Sequence, residues 1–323
     1  MPKISVIIPI HGTERYVEKC VRSVMDQTLK DIEIICIDDC SPDNSAAIVE
    51  QLAATDDRIR LIRHERNLGL GGARNTGISE ARAPYLASVD SDDYIRPEMM
   101  EKLWEGTGGG IADVVVCGVI FIDSHARPLG PRISPQPGRH MNTEDQIDIF
   151  NLFNPSFWNK LWRTSLFVDN DIRFPEQCYY EDLATTPRVL HYASDIRVIS
   201  GDYYQYLIRE ESITNTSSPR HIMDYFRVYD ILDNFLKQEG LQSRYEKEFV
   251  KKVGNSLSYH AAGVISSNME EEQKQKYLRN MLIMKLGYLE YRNQFHEVDT
   301  ATLQRMLKTS TCWDDVNLLD LPR

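Results

Sequence analysis

The chain of 323 residues carries 37 Lys and Arg against 48 Asp and Glu, a formal net charge of -11, with 42% apolar residues. The acidic balance argues against a nucleic-acid partner, which needs a basic face, while the apolar share supplies a sizeable core and the length sets a prior of about two domains. Six cysteines without zinc-finger or Cys-x-x-Cys spacing read as reduced core residues of a cytosolic protein, and no run approaches the ~20 apolar residues of a spanning helix.

The chain begins directly with a β-branched run, Ile4-Ser5-Val6-Ile7-Ile8-Pro9-Ile10, and no basic-then-apolar signal segment precedes it, so a cytoplasmic location is expected. Glu14 to Gln27 then places Tyr16, Val17, Cys20, Val21, Val24 and Met25 at three- and four-residue steps, one apolar helical face. Ile32 to Ile37 repeats the strand pattern, and a strand, helix and strand within this length predict a parallel βαβ unit. The rhythm continues with helix Ser45 to Thr55, strand Ile59 to His64, helix Gly71 to Ala81 and strand Tyr85 to Val89. Ligands of such open sheets bind outside the carboxyl ends of the strands. Pro9, His11, Asp38, Asp39, Asn67 and Asp90 to Asp92 all fall there, and convergence on one cleft is expected.

The last of these strands ends in Asp90-Ser91-Asp92-Asp93. Carboxylates crowded at a strand end repel one another unless a cation or proton offsets them. Magnesium and manganese suit such a site, held by one or two carboxylates while phosphate oxygens complete the shell, so a phosphorylated substrate is expected. The simpler reading is a solvated turn capping a helix that starts near Pro97. Further on, Asp113 to Ile122 predicts a strand, flanked by Gly106 to Gly110 and by the Pro/Gly-rich Pro128 to Gly138, which predicts an exposed loop. Asp182 follows the aromatic pair Tyr179-Tyr180 and precedes the apolar-periodic Leu183 to Tyr192, which puts it near a helix start. From about Pro219 onward strand signals disappear, and His221 to Gln238, Arg244 to Ile265 and Glu270 to Tyr291 read as helices. Acceptor recognition, homo-oligomerisation and peripheral membrane docking all fit that helical region.

The segments Ser5-Val6-Ile7-Ile8-Pro9, Ile37 to Ser45, Asn67-Leu68-Gly69, Ala73-Arg74-Asn75 and Asp90-Ser91-Asp92-Asp93 resemble, in order and spacing, the family 2 glycosyltransferases. Trp158-Asn159-Lys160-Leu161 followed by Tyr179-Tyr180-Glu181-Asp182-Leu183 is similar to the acceptor-side motif of that family, and Tyr204 to Thr214 to the segment that closes over the donor. The resemblance implies an α/β fold of GT-A type, a Rossmann-like and mostly parallel mixed sheet flanked by helices. Residues 1–218 would form the catalytic domain, with 1–100 the nucleotide-binding half and 101–218 the acceptor half, and 219–323 a helical subdomain. It implies transfer of a sugar from a nucleotide diphosphate, usually a uridine one, to a saccharide or lipid-linked acceptor of a bacterial-type surface glycan, at the inner membrane face and with inversion. Manganese or magnesium would be the cofactor, with Asp92 its direct ligand and Asp90 meeting the ribose or the water shell of the metal.

By the same resemblance Asp39 would accept from the uracil imide and Arg74 would lie against uracil or the diphosphate. Pro9, His11, Glu14, Asn67 and Ser91 would line the donor site, and Arg209 and Ser212 would reach the diphosphate from a closing loop. His11 stands where family members often carry a tyrosine that stacks on the base. Inversion needs a base on the face opposite the leaving group; Asp182 takes that role, with Trp158, Tyr180 and Glu181 beside the acceptor. Competing readings make Asp182 a helix cap and Arg74 a surface ion pair. A dinucleotide-dependent oxidoreductase fails on Pro9-Ile10-His11-Gly12-Thr13-Glu14, which lacks the glycine-rich turn. A sugar-nucleotide pyrophosphorylase and a binding module without transfer activity stand as the alternatives.

Overall fold

The computed structural model describes residues 1–141, 148–209, 219–249, 251–253 and 270. Strand β1 (Ile4–Ile10) leads through α1 (Val17–Met25) to β2 (Ile32–Asp38), then α2 (Ser45–Ala53), β3 (Ile59–Arg63), α3 (Gly69–Glu80) and β4 (Tyr85–Ser88). A two-residue β5 (Tyr94–Ile95), α4 (Met99–Gly106), β6 (Val114–Ile122), β7 (Pro128–Ile133) and β8 (Gly138–Met141) follow. After β9 (Lys160–Arg163) come α5 (Ser165–Val168), α6 (Glu181–Tyr192), β10 (Asp195–Leu207) and α7 (Pro219–Gln238). The chain divides into two compact units, Met1–Thr216 with Arg227–Phe235, and Ser217–Phe226 with Leu236–Arg323. Of the expected helices Arg244 to Ile265 and Glu270 to Tyr291, all but 244–249, 251–253 and 270 lies outside the described residues. Among the described residues no helix is long and apolar enough to cross a membrane.

The sheet runs β3-β2-β1-β4-β9-β6-β10-β5, with β7 on β6 and β8 on β10. The first four strands are mutually parallel, and β6 and β10 run parallel to each other. This is the mixed, mostly parallel, helix-flanked sheet of the GT-A type. In its parallel half β1, β2 and β4 are buried on both faces, as such strands must be, while the edge strand β3 is partly exposed. Ile4, Val6, Ile8 and Ile10 join Val17, Cys20, Val21 and Val24 of α1 in one core cluster. Ile7, one position out of phase, points to the other face, where α3 lies so close that a Cβ on Gly77 would stand 2.4 Å from Ile7 Cγ2.

Two features set the site. The order β3-β2-β1-β4 reverses direction beside β1, creating a crevice at the carboxyl edge of the parallel strands. Strand β9 runs antiparallel to both β4 and β6, so its amino end carries Trp158, Asn159 and Lys160 to that same edge. The expected loop Pro128 to Gly138 is corrected by the structure: β7 occupies Pro128–Ile133 and β8 starts at Gly138. Pairing to β6 and β10 supplies what the Pro/Gly-rich local sequence lacks.

Candidate active site

Asp39, the first residue beyond β2, is 2% exposed and accepts from the N–H groups of Leu68 and Gly69 at 2.8 Å each. Its carboxylate thereby anchors the start of α3, where the helix dipole favours an anion. His64 Nδ1 lies 2.7 Å from Asp39 Oδ1, and its Nε2 lies 2.8 Å from Thr76 Oγ1. An ionised carboxylate accepts about four bonds, which leaves Asp39 room for one further donor. His11 Nδ1 lies 2.9 Å from the Asp39 carbonyl, and Asn67 Nδ2 donates to the same carbonyl at 3.2 Å. His11 and Asn67 are both exposed at the rim.

The other residues expected around the donor divide. Glu14 Oε2 accepts from the backbone N–H and Nδ2 of Asn44 at 3.0 and 3.2 Å, which ties it to the start of α2. Pro9 is buried within β1 opposite Ile37. Ser91 is buried and accepts from Thr13 Oγ1 at 3.1 Å. Ser212 lies outside the described residues.

Arg74 departs from an exposed donor contact. It is 2% exposed, donates through Nη2 to Asp90 Oδ1 at 2.8 Å and through Nη1 to Glu181 Oε1 at 2.5 Å, and lies over the rings of Phe157 and Phe174. Burial works against its charge, but Asp90, Glu181 and Asp182 outweigh burial and raise its pKa. The guanidinium therefore joins the loop after β4 to the first turn of α6. Gly71 makes this approach feasible, since a Cβ there would stand 2.3 Å from the Pro175 carbonyl.

Around Asp90 the loop is bound to β10. Tyr204 Oη accepts from the Asp90 N–H at 3.2 Å and donates to Asp93 Oδ2 at 2.8 Å, while Leu207 N–H donates to Asp93 Oδ1. Asp93 is thus a buried structural carboxyl, pushed well up by burial and by the charges of Asp92 and Asp90. Asp92, half-buried, is raised by burial and by Asp90, and pairs with Arg209, which lies over the Tyr16 ring. Among the described residues no cluster of three or more metal-ligating side chains occurs. The donor set still fits a divalent ion that takes one or two carboxylates and completes its shell from phosphate: two acids two positions apart repel, and a cationic side chain is already drawn onto Asp92.

On the side expected to face the acceptor, Tyr180 adopts φ 60°, a left-handed turn that delivers Glu181 and Asp182 as the first residues of α6. Glu181 is 7% exposed. Its carboxyl is pushed up to about 7, by burial first, with Arg74 opposing and Asp182 adding. Asp182 is half-buried and also raised by burial, with Arg74 and the Leu183 N–H pulling it back. Trp158 stacks on Tyr204 at 4.2 Å between ring centroids and is mostly buried, so its larger role is packing. Lys160 is fully buried, with Nζ donating to Asn154 O, Ser156 O and Asn159 Oδ1 at 2.9, 2.6 and 2.8 Å. Burial pulls its pKa down to about 7 against the field of Asp182, and the three acceptors match the three donors of an ammonium.

The structure thus brings Asp39, His11, Asn67, Arg74, Asp90, Asp92, Arg209, Glu181 and Asp182 to one edge. Sequence reasoning assigned no role to His64 or Tyr204. His64 directly follows β3 at the same edge as Asp39, and the strand-end rule applied there would have found it; Tyr204 reads in the sequence only as the first residue of the donor-closing segment, whereas the structure buries it in β10 with hydrogen bonds to Asp90 and Asp93.

A sequence model described as glycosyl transferase family 2 matches residues 5–175, just over half of the chain. The chain is 30% identical over 258 residues to a putative glycosyltransferase, EpsH, of Bacillus subtilis, covering 76% of this chain and 73% of that protein. It is 31% identical over 274 residues to glycosyltransferase GlyG of Streptococcus pneumoniae, covering 80% of this chain and 89% of that one. The fold is similar to the crystal structure of S. aureus TarS 1-349 in complex with UDP-GlcNAc, at a TM-score of 0.60 and 22% identity over 95% of this chain and 79% of the other.

Proposed function

Because this chain belongs to glycosyl transferase family 2, we propose that it moves a sugar from a UDP-sugar to a hydroxyl of a saccharide or lipid-linked acceptor, with inversion, in the building of a surface glycan at the cytoplasmic face. Catalysis is assigned to residues 1–218; the helical reading of 219–323 falls mostly outside the described residues. The observation that carries this reading is the chain Asp90–Arg74–Glu181, which sets the acidic loop beside the start of the helix bearing Asp182. The fold-similar TarS holds UDP-GlcNAc, which supports a uridine donor here. The exposed His11 offers its ring to the base, and the remaining acceptor capacity of Asp39 suits an imide N–H.

Asp182 takes the proton of the acceptor hydroxyl as its oxygen bonds to the anomeric carbon, while the bond from that carbon to the diphosphate oxygen breaks and UDP leaves. Asp92 and Asp90 would hold manganese or magnesium, which when bound neutralises charge on the departing diphosphate. Arg209, paired with Asp92 in this structure, would be the cation that reaches the diphosphate. Arg74, too deeply buried for direct donor contact, keeps Glu181 and Asp90 in place.

Incubating the protein with UDP-N-acetylglucosamine, UDP-glucose and UDP-galactose in the presence of manganese tests the reading. Release of UDP supports it. Pyrophosphate as product would identify a pyrophosphorylase, and tight UDP binding without turnover on any acceptor would leave a binding module.

A further inference from the structure

A cleft of about 240 Å³ opens between β7 and the loop leading into β9. Val116, Ile133 and Phe153 form its apolar side and Ser134, Asn151 and Asn154 its polar rim; no ionisable side chain among the described residues lines it. Sites for drug-sized ligands run from about 300 to 1,000 Å³, so this cleft takes one ring-sized unit rather than a nucleotide.

The rim is held in place. Lys160 Nζ binds the carbonyls of Asn154 and Ser156, and Thr186 Oγ1 donates to the Pro155 carbonyl at 2.6 Å. Thr186 stands four residues after Asp182, about one helical turn along α6. The helix that presents Asp182 is therefore bonded directly to the wall of the cleft, and a ligand in it would meet a preorganised surface.

The hydrogen-bonding capacity that remains is equally specific. Asn151 Nδ2 is committed to Asp148, at 3.1 and 2.8 Å, which leaves its carbonyl oxygen to accept. Asn154 Oδ1 accepts from the Ser156 N–H at 3.1 Å, which leaves its Nδ2 to donate. Ser134 Oγ donates to Asp202 at 2.7 Å and keeps its lone pairs. A donor and acceptors around an apolar wall, with no charged side chain in the lining, match an alcohol-rich ring whose hydroxyls both give and take hydrogen bonds. The charges nearest the rim are already engaged, Asp202 with Arg132, Asp148 with Asn151 and Lys160 with backbone carbonyls, which leaves a phosphate no cation in the lining.

We propose that this cleft is an acceptor subsite that binds one neutral sugar unit, next to the unit whose hydroxyl faces Asp182. This rests on the glycosyltransferase reading and names the class of acceptor for it.

Saturation-transfer NMR tests it, with methyl β-glycosides of glucose, galactose and N-acetylglucosamine as probes and ribitol 5-phosphate as a charged comparator. At least one glycoside should show saturable transfer from the wild-type protein. Ser134→Trp, which fills the cleft from its exposed rim, should abolish that signal, and Asn154→Ala should weaken binding roughly two- to tenfold, the range for one hydrogen bond. UDP titration of each variant reports that it is folded. Glycoside binding unchanged by both substitutions, no saturable glycoside binding at all, or preference for ribitol 5-phosphate would each overturn the proposal. Failure of the wild-type protein to bind UDP would remove the donor assignment alone, because glycoside binding with the stated response to both variants would still support the cleft.

Discussion

Glu181 and Asp182 are sequence neighbours whose surroundings separate their tasks. Glu181 is locked to Arg74 at 2.5 Å, while the Asp182 carboxylate accepts from the Leu183 N–H of its own helix and retains oxygen capacity for an acceptor hydroxyl. In the proposed role of general base, Asp182 would matter to the transition state and little to donor binding. Asp182→Asn is therefore expected to lower turnover by about 10²–10⁴-fold, with UDP affinity changed by less than about twofold; steady-state kinetics beside UDP calorimetry checks both. Glu181 yields a pH prediction. Its carboxyl titrates near the ordinary 4.5 when unfolded and near 7 when folded, so between these values the folded state holds the extra proton. The stability this gives is fully present below about pH 4.5 and is lost as pH rises through 7. Urea unfolding at pH 5 and pH 8 should show wild-type stability declining more steeply than that of Glu181→Gln. Equal slopes would mean that Glu181 titrates normally in the fold.

Close packing of α3 on β1 is the element-scale condition for the site, because α3 carries Arg74 and its amino end is tied to Asp39. Gly77→Ala would gain about 1 kcal/mol of helix propensity. Overpacking a filled contact costs about 1–3 kcal/mol, and the added Cβ would meet Ile7 Cγ2 at 2.4 Å and Cγ1 at 2.9 Å. The clash wins on these magnitudes, and a net loss of stability is expected in chemical denaturation. A variant as stable as wild type would show that the α3–β1 contact relaxes freely. The strands and helices of this half were legible in the sequence because each buries a local periodic pattern. Strand β10, thirteen residues from Asp195 to Leu207, was not, since its register comes from β6, β8 and β5, all distant in the chain. Nor was the true setting of Arg74: its motif was plain, but its partner Glu181 lies 107 residues away, and only packing reveals that the guanidinium is enclosed by Phe157 and Phe174 rather than presented to a ligand.

A protein with net charge -11 repels a nucleoside diphosphate at long range, so binding of the proposed donor would need cations concentrated at the cleft. Arg74 is spent on Asp90 and Glu181, and Arg209 is drawn onto Asp92. With the guanidinium of Arg74 enclosed and that of Arg209 paired, a divalent ion at Asp92 would both release Arg209 toward the diphosphate and neutralise the acidic loop. Two favourable changes then follow from one binding event, and chelation should reverse both. UDP affinity measured by calorimetry is expected to fall at least about tenfold, equivalent to about 1.4 kcal/mol, when manganese is replaced by a chelator. Asp92→Ala should weaken UDP to a similar degree with manganese present, and further chelation should then change little. Arg209→Ala separates the two contributions: it should weaken UDP in manganese while leaving Asp92 free to take the metal. If chelation and Asp92→Ala both leave UDP affinity unchanged, the acidic loop binds no metal, and Asp90 and Asp92 serve only to hold Arg74 and Arg209.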